Sequence, residues 1–130
     1  MNKHSRGFTV IELIVIVLIL ASASVLFFIQ KSNVEVAGRD DVRKTAVNAF
    51  YYSLEEVYFT ANGHYPLTID SATLPSVDPS LFKDPIGNTV GSSTSDYRYE
   101  PTNCVDGACA SYTVRTVLEN EDDFVKQSKN

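Results

Sequence analysis

From Phe8 to Ile29 the chain reads FTVIELIVIVLILASASVLFFI, and only Thr9, Glu12, Ser22 and Ser24 interrupt its apolar character. As a helix rising ~1.5 Å per residue, this run would be roughly 33 Å long, enough to cross a hydrocarbon core of ~30 Å. After Gln30 the pattern becomes amphipathic. Val42, Ala46, Ala49, Phe50, Leu54, Val57, Tyr58 and Ala61 recur at three- and four-residue steps, the mark of one buried helical face. Arg39, Asp40, Arg43, Lys44, Asn48, Glu55 and Glu56 fall mostly between them. No proline occurs before Pro66, so the pattern predicts one continuous helix over about 8–61, on the order of 80 Å long. Gly38 is its weak point and a possible bend. Asn62-Gly63 supplies a left-handed stop.

From His64 to Asp96 the chain turns to Pro, Ser, Thr, Gly and Asp, with apolar residues irregularly spaced. This predicts a packed loop with one short helical turn at Pro79–Phe82. Asp84-Pro85-Ile86-Gly87-Asn88 is a turn by its own chemistry, proline setting φ and glycine accepting positive φ. The period then becomes two. Residues 97–100 and 110–118 are rich in aromatic and β-branched side chains and read as strands. Tyr112, Val114 and Thr116 would share one face; Thr113, Arg115 and Val117 the other. Asp106-Gly107 signals a tight turn between the strands, and a third short strand is expected from 88–90 or 64–70. The fold class expected is α+β, a long N-terminal helix carrying a small antiparallel head. His64 is expected to cap the loop after the helix.

Charge and cysteine usage narrow the functional classes. The net charge is −5, and no Lys/Arg cluster is dense enough to neutralise a row of phosphates, so direct nucleic-acid binding is not expected. Lys3 and Arg6 precede the apolar run, which by the positive-inside rule keeps the N-terminus cytoplasmic and sends the bulk of the chain across the membrane. Cys104 and Cys109, the only cysteines, have four residues between them across the predicted turn. An oxidising compartment favours a disulfide there over free thiols; the spacing is not C-x-x-C, which argues against a metal or redox pair. No nucleophile–base–acid set, phosphate cradle or paired carboxylates in an apolar cleft can be assembled, and neither enzymatic activity nor a cofactor is expected.

Two ordinary readings of the N-terminus compete. A secretory signal peptide would end at Ala21-Ser22-Ala23 and leave a soluble binding domain starting at Ser24. A plain membrane anchor is the second. Both leave Glu12 unexplained, because an ionisable group inside a spanning helix is costly and asks for a partner, and the run holds no Lys or Arg. Cutting the chain after Gly7 would create one, since Phe8 would then carry a free, positive amine.

The segment KHSRG-FTVIELIVIVLILA resembles the class III signal of type IV pilins and pseudopilins: a short basic leader ending in glycine, then Phe, then a glutamate at the fifth position after the cut. NGHYP and KDPIGN resemble the same family more weakly. The resemblance implies a leader at 1–7 removed by a prepilin peptidase, with methylation of the Phe8 amine. It implies a membrane and filament-core half at 8–29, an amphipathic half at 30–62, an αβ-loop at 63–96 and a β-rich head region at 97–130. It further implies a homo-oligomeric filament in which Glu12 pairs with the Phe8 amine of a neighbour, an inner-membrane assembly platform as partner, and passage from the cytoplasmic membrane to an extracellular pilus. A pseudopilin or minor pilin of a secretion or DNA-uptake machine fits the same signature. Family members often carry a proline midway along the apolar half, which this chain lacks. Because pseudopilins bind calcium with acidic loop residues, Glu121, Asp122 and Asp123 of the run 119–123, joined by Asp96 or Asp106, are candidate oxygen ligands.

Overall fold

The computed structural model describes residues 7–130. The leader expected at 1–7, with Lys3 and Arg6, lies outside the described residues except for Gly7. Helix α1 (Val10–Tyr52) passes through Gly38 without interruption, continues as a π-helical turn (Ser53–Tyr58) and ends as α2 (Phe59–Asn62). Thr9 starts it: its hydroxyl accepts the Glu12 N–H at 3.3 Å and its carbonyl accepts the Leu13 N–H at 3.1 Å, satisfying donors that the first helical turn cannot. Gly63 stops it in the left-handed region, φ 72°, its N–H reaching the Phe59 carbonyl at 2.7 Å. Capping at this end therefore belongs to Gly63. His64 instead sets its ring edge-on to Tyr58 and brings Nδ1 to 3.2 Å from the Tyr65 carbonyl.

Two compact units divide the chain, one through Glu35 and one from Val36 to Asn130. In the second unit the helix buries Asp40, Arg43, Ala46, Val47, Phe50, Ser53, Leu54 and Glu55. The buried stripe thus differs from the expected one at both ends. Val42, Val57 and Ala61 are exposed, whereas Asp40, Arg43 and Glu55 turn inward. Toward the N-terminus the row 54-50-47 continues by three- and four-residue steps to 43 and 40, and those residues are charged. Toward the C-terminus the wider π turn resets the register, so three successive residues are buried.

Strand β1 (Tyr65–Pro66) comes from the 64–70 stretch; the alternative at 88–90 supplies only an isolated bridge between Thr89 and Lys83. A 3-10 turn spans Pro79–Phe82, capped by the Asp78 carboxylate on the Ser80 N–H. Strands β2 (Tyr97–Val105) and β3 (Ala108–Thr116) form a hairpin whose two-residue turn has Asp106 at φ 51° and Gly107 at φ 83°, the primed turn that suits strand twist. Strand β4 (Phe124–Gln127) was not expected; it pairs with β3 at 113–116, while β1 pairs with β3 at 108–109. All pairings are antiparallel, with β2 on the opposite edge of β3.

The core lies between the helix row and the sheet. Phe50 meets Phe82 at 5.1 Å and Tyr97 at 5.8 Å between ring centroids, and Tyr65 meets Tyr112 edge-on at 4.7 Å. Tyr112, Val114 and Thr116 face this core as their alternation predicts. The loop contributes Ile69, Leu74, Val77, Phe82 and Val90. Its turn at 84–88 is fixed by the buried Asp84 carboxylate, which accepts N–H bonds from Ile86, Asn88 and Asp96 at 2.8–3.1 Å. Burial pushes the Asp84 carboxyl upward, but those donors outweigh it and hold the group below its ordinary value.

Candidate functional site

The first unit presents an apolar helix surface that nothing in the unit covers. The most apolar 18-residue stretch of the helix has a mean hydropathy of 2.8 and none of it is buried, so length and composition allow it to cross a membrane. Phe8 is 74% exposed and Ile11 71%. The polar residues within this surface separate into two kinds. Ser22 and Ser24 return their hydroxyls to their own helix, donating to the Ile19 carbonyl at 2.9 Å and the Leu20 carbonyl at 2.8 Å, so they ask nothing of an apolar surrounding. Thr9 is likewise occupied as the cap. Glu12 differs: its backbone N–H is used, but its carboxylate has no partner among the described residues. Its place in the first helical turn favours a negative charge through the aligned peptide dipoles, which lowers the cost of that charge without supplying a counterion.

Gly7, Phe8, Thr9 and Glu12 lie together at this end of the unit, around one shallow concavity. The expected cut position, the residue whose amine such a cut would free, and the acid without a partner among the described residues are thus neighbours. Phe8 precedes the helix and is not part of its hydrogen-bonded ladder.

The calcium candidates are dispersed by the chain's own cations and backbone. Glu121 pairs with Lys44 at 2.7 Å, and Asp123 with Arg115 at 3.1 Å. Asp96 accepts both Nε and Nη2 of Arg43 at 3.0 and 2.8 Å. Asp106 occupies the hairpin turn, and Asp122 is exposed. Among the described residues no group of three or more His, Cys, Asp or Glu is arranged to hold a metal ion.

Of these candidates, Asp96 belongs to a partly buried ionic cluster centred on Arg43. Arg43, only 3% exposed, donates to Asp40 at 3.0 Å, to Glu119 at 2.8 Å and to Asp96. Arg39 grips Glu119 with two bonds of 2.7 and 2.6 Å, the fork geometry in which guanidinium and carboxylate bind best. Asp40 also accepts the backbone N–H groups of Glu119 and Asn120. Arg39 first, and Arg43 with it, hold the Glu119 carboxyl down at about 2. The connection between β3 and β4 is therefore clamped to the helix by charge. Sequence reasoning missed it because it assigned Asp40 and Arg43 to the wet face; extending the 47-50-54 row by one turn would have found them.

Cys104 and Cys109 are joined, S–S 2.04 Å, directly opposite each other across β2 and β3. Cys109 is buried and Cys104 exposed, and the register skips Asn103, itself at φ 54°. The bond closes the hairpin tip and leaves no thiol for chemistry among the described residues.

Comparison with protein-family models, with curated proteins and with solved structures returns no match. What the chain can do is therefore read from its own groups. Those groups are an uncovered apolar helix face with a carboxylate that has no partner among the described residues, and a head whose buried charges are internally satisfied.

Proposed function

We propose that this chain is a subunit of a type IV pilin-like filament, made as a membrane-inserted precursor and cut after Gly7. The observation that carries this reading is the Glu12 carboxylate, unpartnered among the described residues, four positions beyond Phe8 on an uncovered apolar helix. Cleavage creates an ammonium at Phe8 that no other residue of the apolar run can supply. In a bundle of such helices, a neighbouring chain displaced along the axis offers its amine to this carboxylate. Packing many such helices together moves apolar surface from lipid into a protein core, where an unpaired carboxylate costs several kcal/mol. The pair therefore sets axial register as well as holding neighbours together.

The head supports the reading by being self-contained. Its buried charges are matched within the chain, so assembly need not complete its fold. Function under this proposal is structural, and it requires prepilin peptidase and a membrane platform rather than a cofactor.

Two experiments test it. N-terminal sequencing of the protein from cells is expected to begin at Phe8, methylated; a terminus at Ser24 would establish the signal-peptide reading instead. Glu12→Gln is expected to give processed, membrane-held protein and no sheared filaments, and filament yield equal to wild type would overturn the proposed role. Abundance decides the remaining choice: a major pilin dominates the sheared fraction, whereas a pseudopilin or minor pilin does not.

A further inference from the structure

We infer that Glu55 is a proton-sensitive latch that holds the C-terminal segment 124–130 against the helix. Glu55 lies in the π-helical turn and is only 6% exposed. Single π turns within α-helices are frequent at functional positions, because they swing one side chain out of the regular row. Here that side chain is a carboxylate placed under the sheet. Its oxygens accept the Tyr65 hydroxyl at 3.1 Å, the Tyr112 hydroxyl at 2.9 Å and the Lys129 backbone N–H at 3.3 Å. None of these donors is a cation. The one ammonium at the site, Lys129 Nζ, goes to the neighbouring Glu56 at 2.6 Å.

An ionised carboxylate only accepts, and two oxygens can serve all three donors at once. A protonated one must place its own hydrogen where those donors converge, and the charge that strengthens each bond is gone. The two tyrosines sit on strands fixed by the core. The Lys129 N–H is the longest contact and belongs to a segment with no buried residue, so it is the bond that yields. Ionised Glu55 therefore favours docking of the segment, and docking weakens when that carboxylate takes up a proton.

The other groups around the site do not substitute for this proton. Burial first, and then the Glu55 bond, push the Tyr112 hydroxyl upward, and Tyr65 is raised by burial as well, so both stay neutral donors across the acidic and neutral range. Tyr99, packed on Tyr112, is raised by burial too. Asn130 lies against the Tyr65 hydroxyl. On the helix, Tyr51 faces the Lys126 ammonium, 5.4 Å from the ring centroid, and Tyr58 faces His64. Other attachments of the segment include backbone pairing of β4, the packing of Phe124 on the core, the Ser128 N–H on the Tyr112 carbonyl at 3.0 Å, the Tyr112 N–H on the Ser128 hydroxyl at 3.4 Å, and the ion pairs Glu56–Lys129 and Asp123–Arg115. Opening the latch would uncover the edge of β3 at Thr113–Thr116, a free pairing edge.

Amide exchange of residues 125–128, measured by mass spectrometry on the full chain in detergent at pH 7 and pH 4, tests this. Each value is taken relative to the unstructured rate at the same pH, with β2 as the internal reference. In the wild type, protection of 125–128 should fall about tenfold at pH 4, as expected for losing one hydrogen bond to a charged group, while β2 stays protected. Glu55→Gln should abolish the pH difference. Lys129→Pro deletes the backbone donor without touching Glu55; it should lower protection at pH 7 and shrink the pH difference. Asp123→Asn should leave the difference intact. Equal wild-type protection at both pH values would overturn the latch. So would a full pH difference in Glu55→Gln or Lys129→Pro, or its disappearance in Asp123→Asn. If Glu55→Gln fails to fold, the Lys129→Pro result decides.

Discussion

Glu12 and Glu55 lie on the same continuous helix and could hardly be treated more differently. Glu55 is buried and serves three donors of its own chain. Glu12 sits on an uncovered apolar surface, and its carboxylate serves none among the described residues. A charge in an apolar setting has to be met by something. In the head it is met by neighbours in the same fold; at the N-terminal end nothing among the described residues meets it. Under the proposed filament, the contrast separates residues that make the subunit from those that make the assembly, and it can be broken experimentally from either side.

The largest expected effect is in the head. Arg43→Met removes a guanidinium that reaches both Asp40 and Asp96, leaving the buried Asp40 and the half-buried Asp96 without that cation. Stripping one partner from such a cluster costs about 3–5 kcal/mol, so the chemical unfolding midpoint of the full chain in detergent, followed by near-ultraviolet circular dichroism, should drop steeply. A loss under about 1 kcal/mol would mean that the cluster is wetter than its burial suggests. The disulfide comes next. Closing so short a loop is worth about 2 kcal/mol on the chain-entropy estimate, and Cys104→Ser with Cys109→Ser should lose about that much while keeping the native spectrum. No loss at all would show that the Asp106-Gly107 turn closes the hairpin unaided.

The pH dependence is smaller and has a definite sign. Glu119 is held at about 2, against an ordinary value of 4.5, by Arg39 and then Arg43. A depressed carboxyl stabilises the fold above its ordinary value, and the contribution is lost as pH falls from about 4.5 to about 2. Glu119 is substantially solvated, so only a modest part of the acid unfolding curve should belong to it. Glu119→Gln should flatten the curve in that window and nowhere else. An unchanged slope there would assign acid sensitivity to other carboxylates, Asp84 first among them.

The same contrast explains what could be read from the sequence. The helix limits, the Pro79–Phe82 turn, the hairpin and the cysteine pair were all legible, because each is written in local chemistry: a run of apolar residues, an Asn-Gly stop, an Asp-Gly turn, alternating β-branched and aromatic positions. The inward charges were not. Asp40, Arg43 and Glu55 carry the side chains that pattern reasoning places in water, and partners 53 to 79 residues away in sequence, together with a helical turn of unusual width, bring them inside. Strand β4 was hidden for the same reason. Phe-Val-Lys-Gln, following an acidic run, has little strand signal of its own; clamping of Glu119 and Asn120 to Asp40 delivers it to β3. Non-local charge pairing, not propensity, builds that edge. Glu12 was legible because no Lys or Arg within the apolar run answers it.

The smallest predicted change in stability is therefore the most discriminating. Glu12→Gln should shift head unfolding by no more than about 0.5 kcal/mol, the range of substitutions that touch nothing within their own fold. The same variant is expected to eliminate filaments. If the variant instead destabilised the head by more than 1 kcal/mol, Glu12 would have an intramolecular partner and the two glutamates would be alike. If stability and assembly were both unchanged, the carboxylate would be idle and the register argument would fail. A full loss of assembly at constant stability is the outcome that divides the helix into a part that folds the chain and a part that joins it to others.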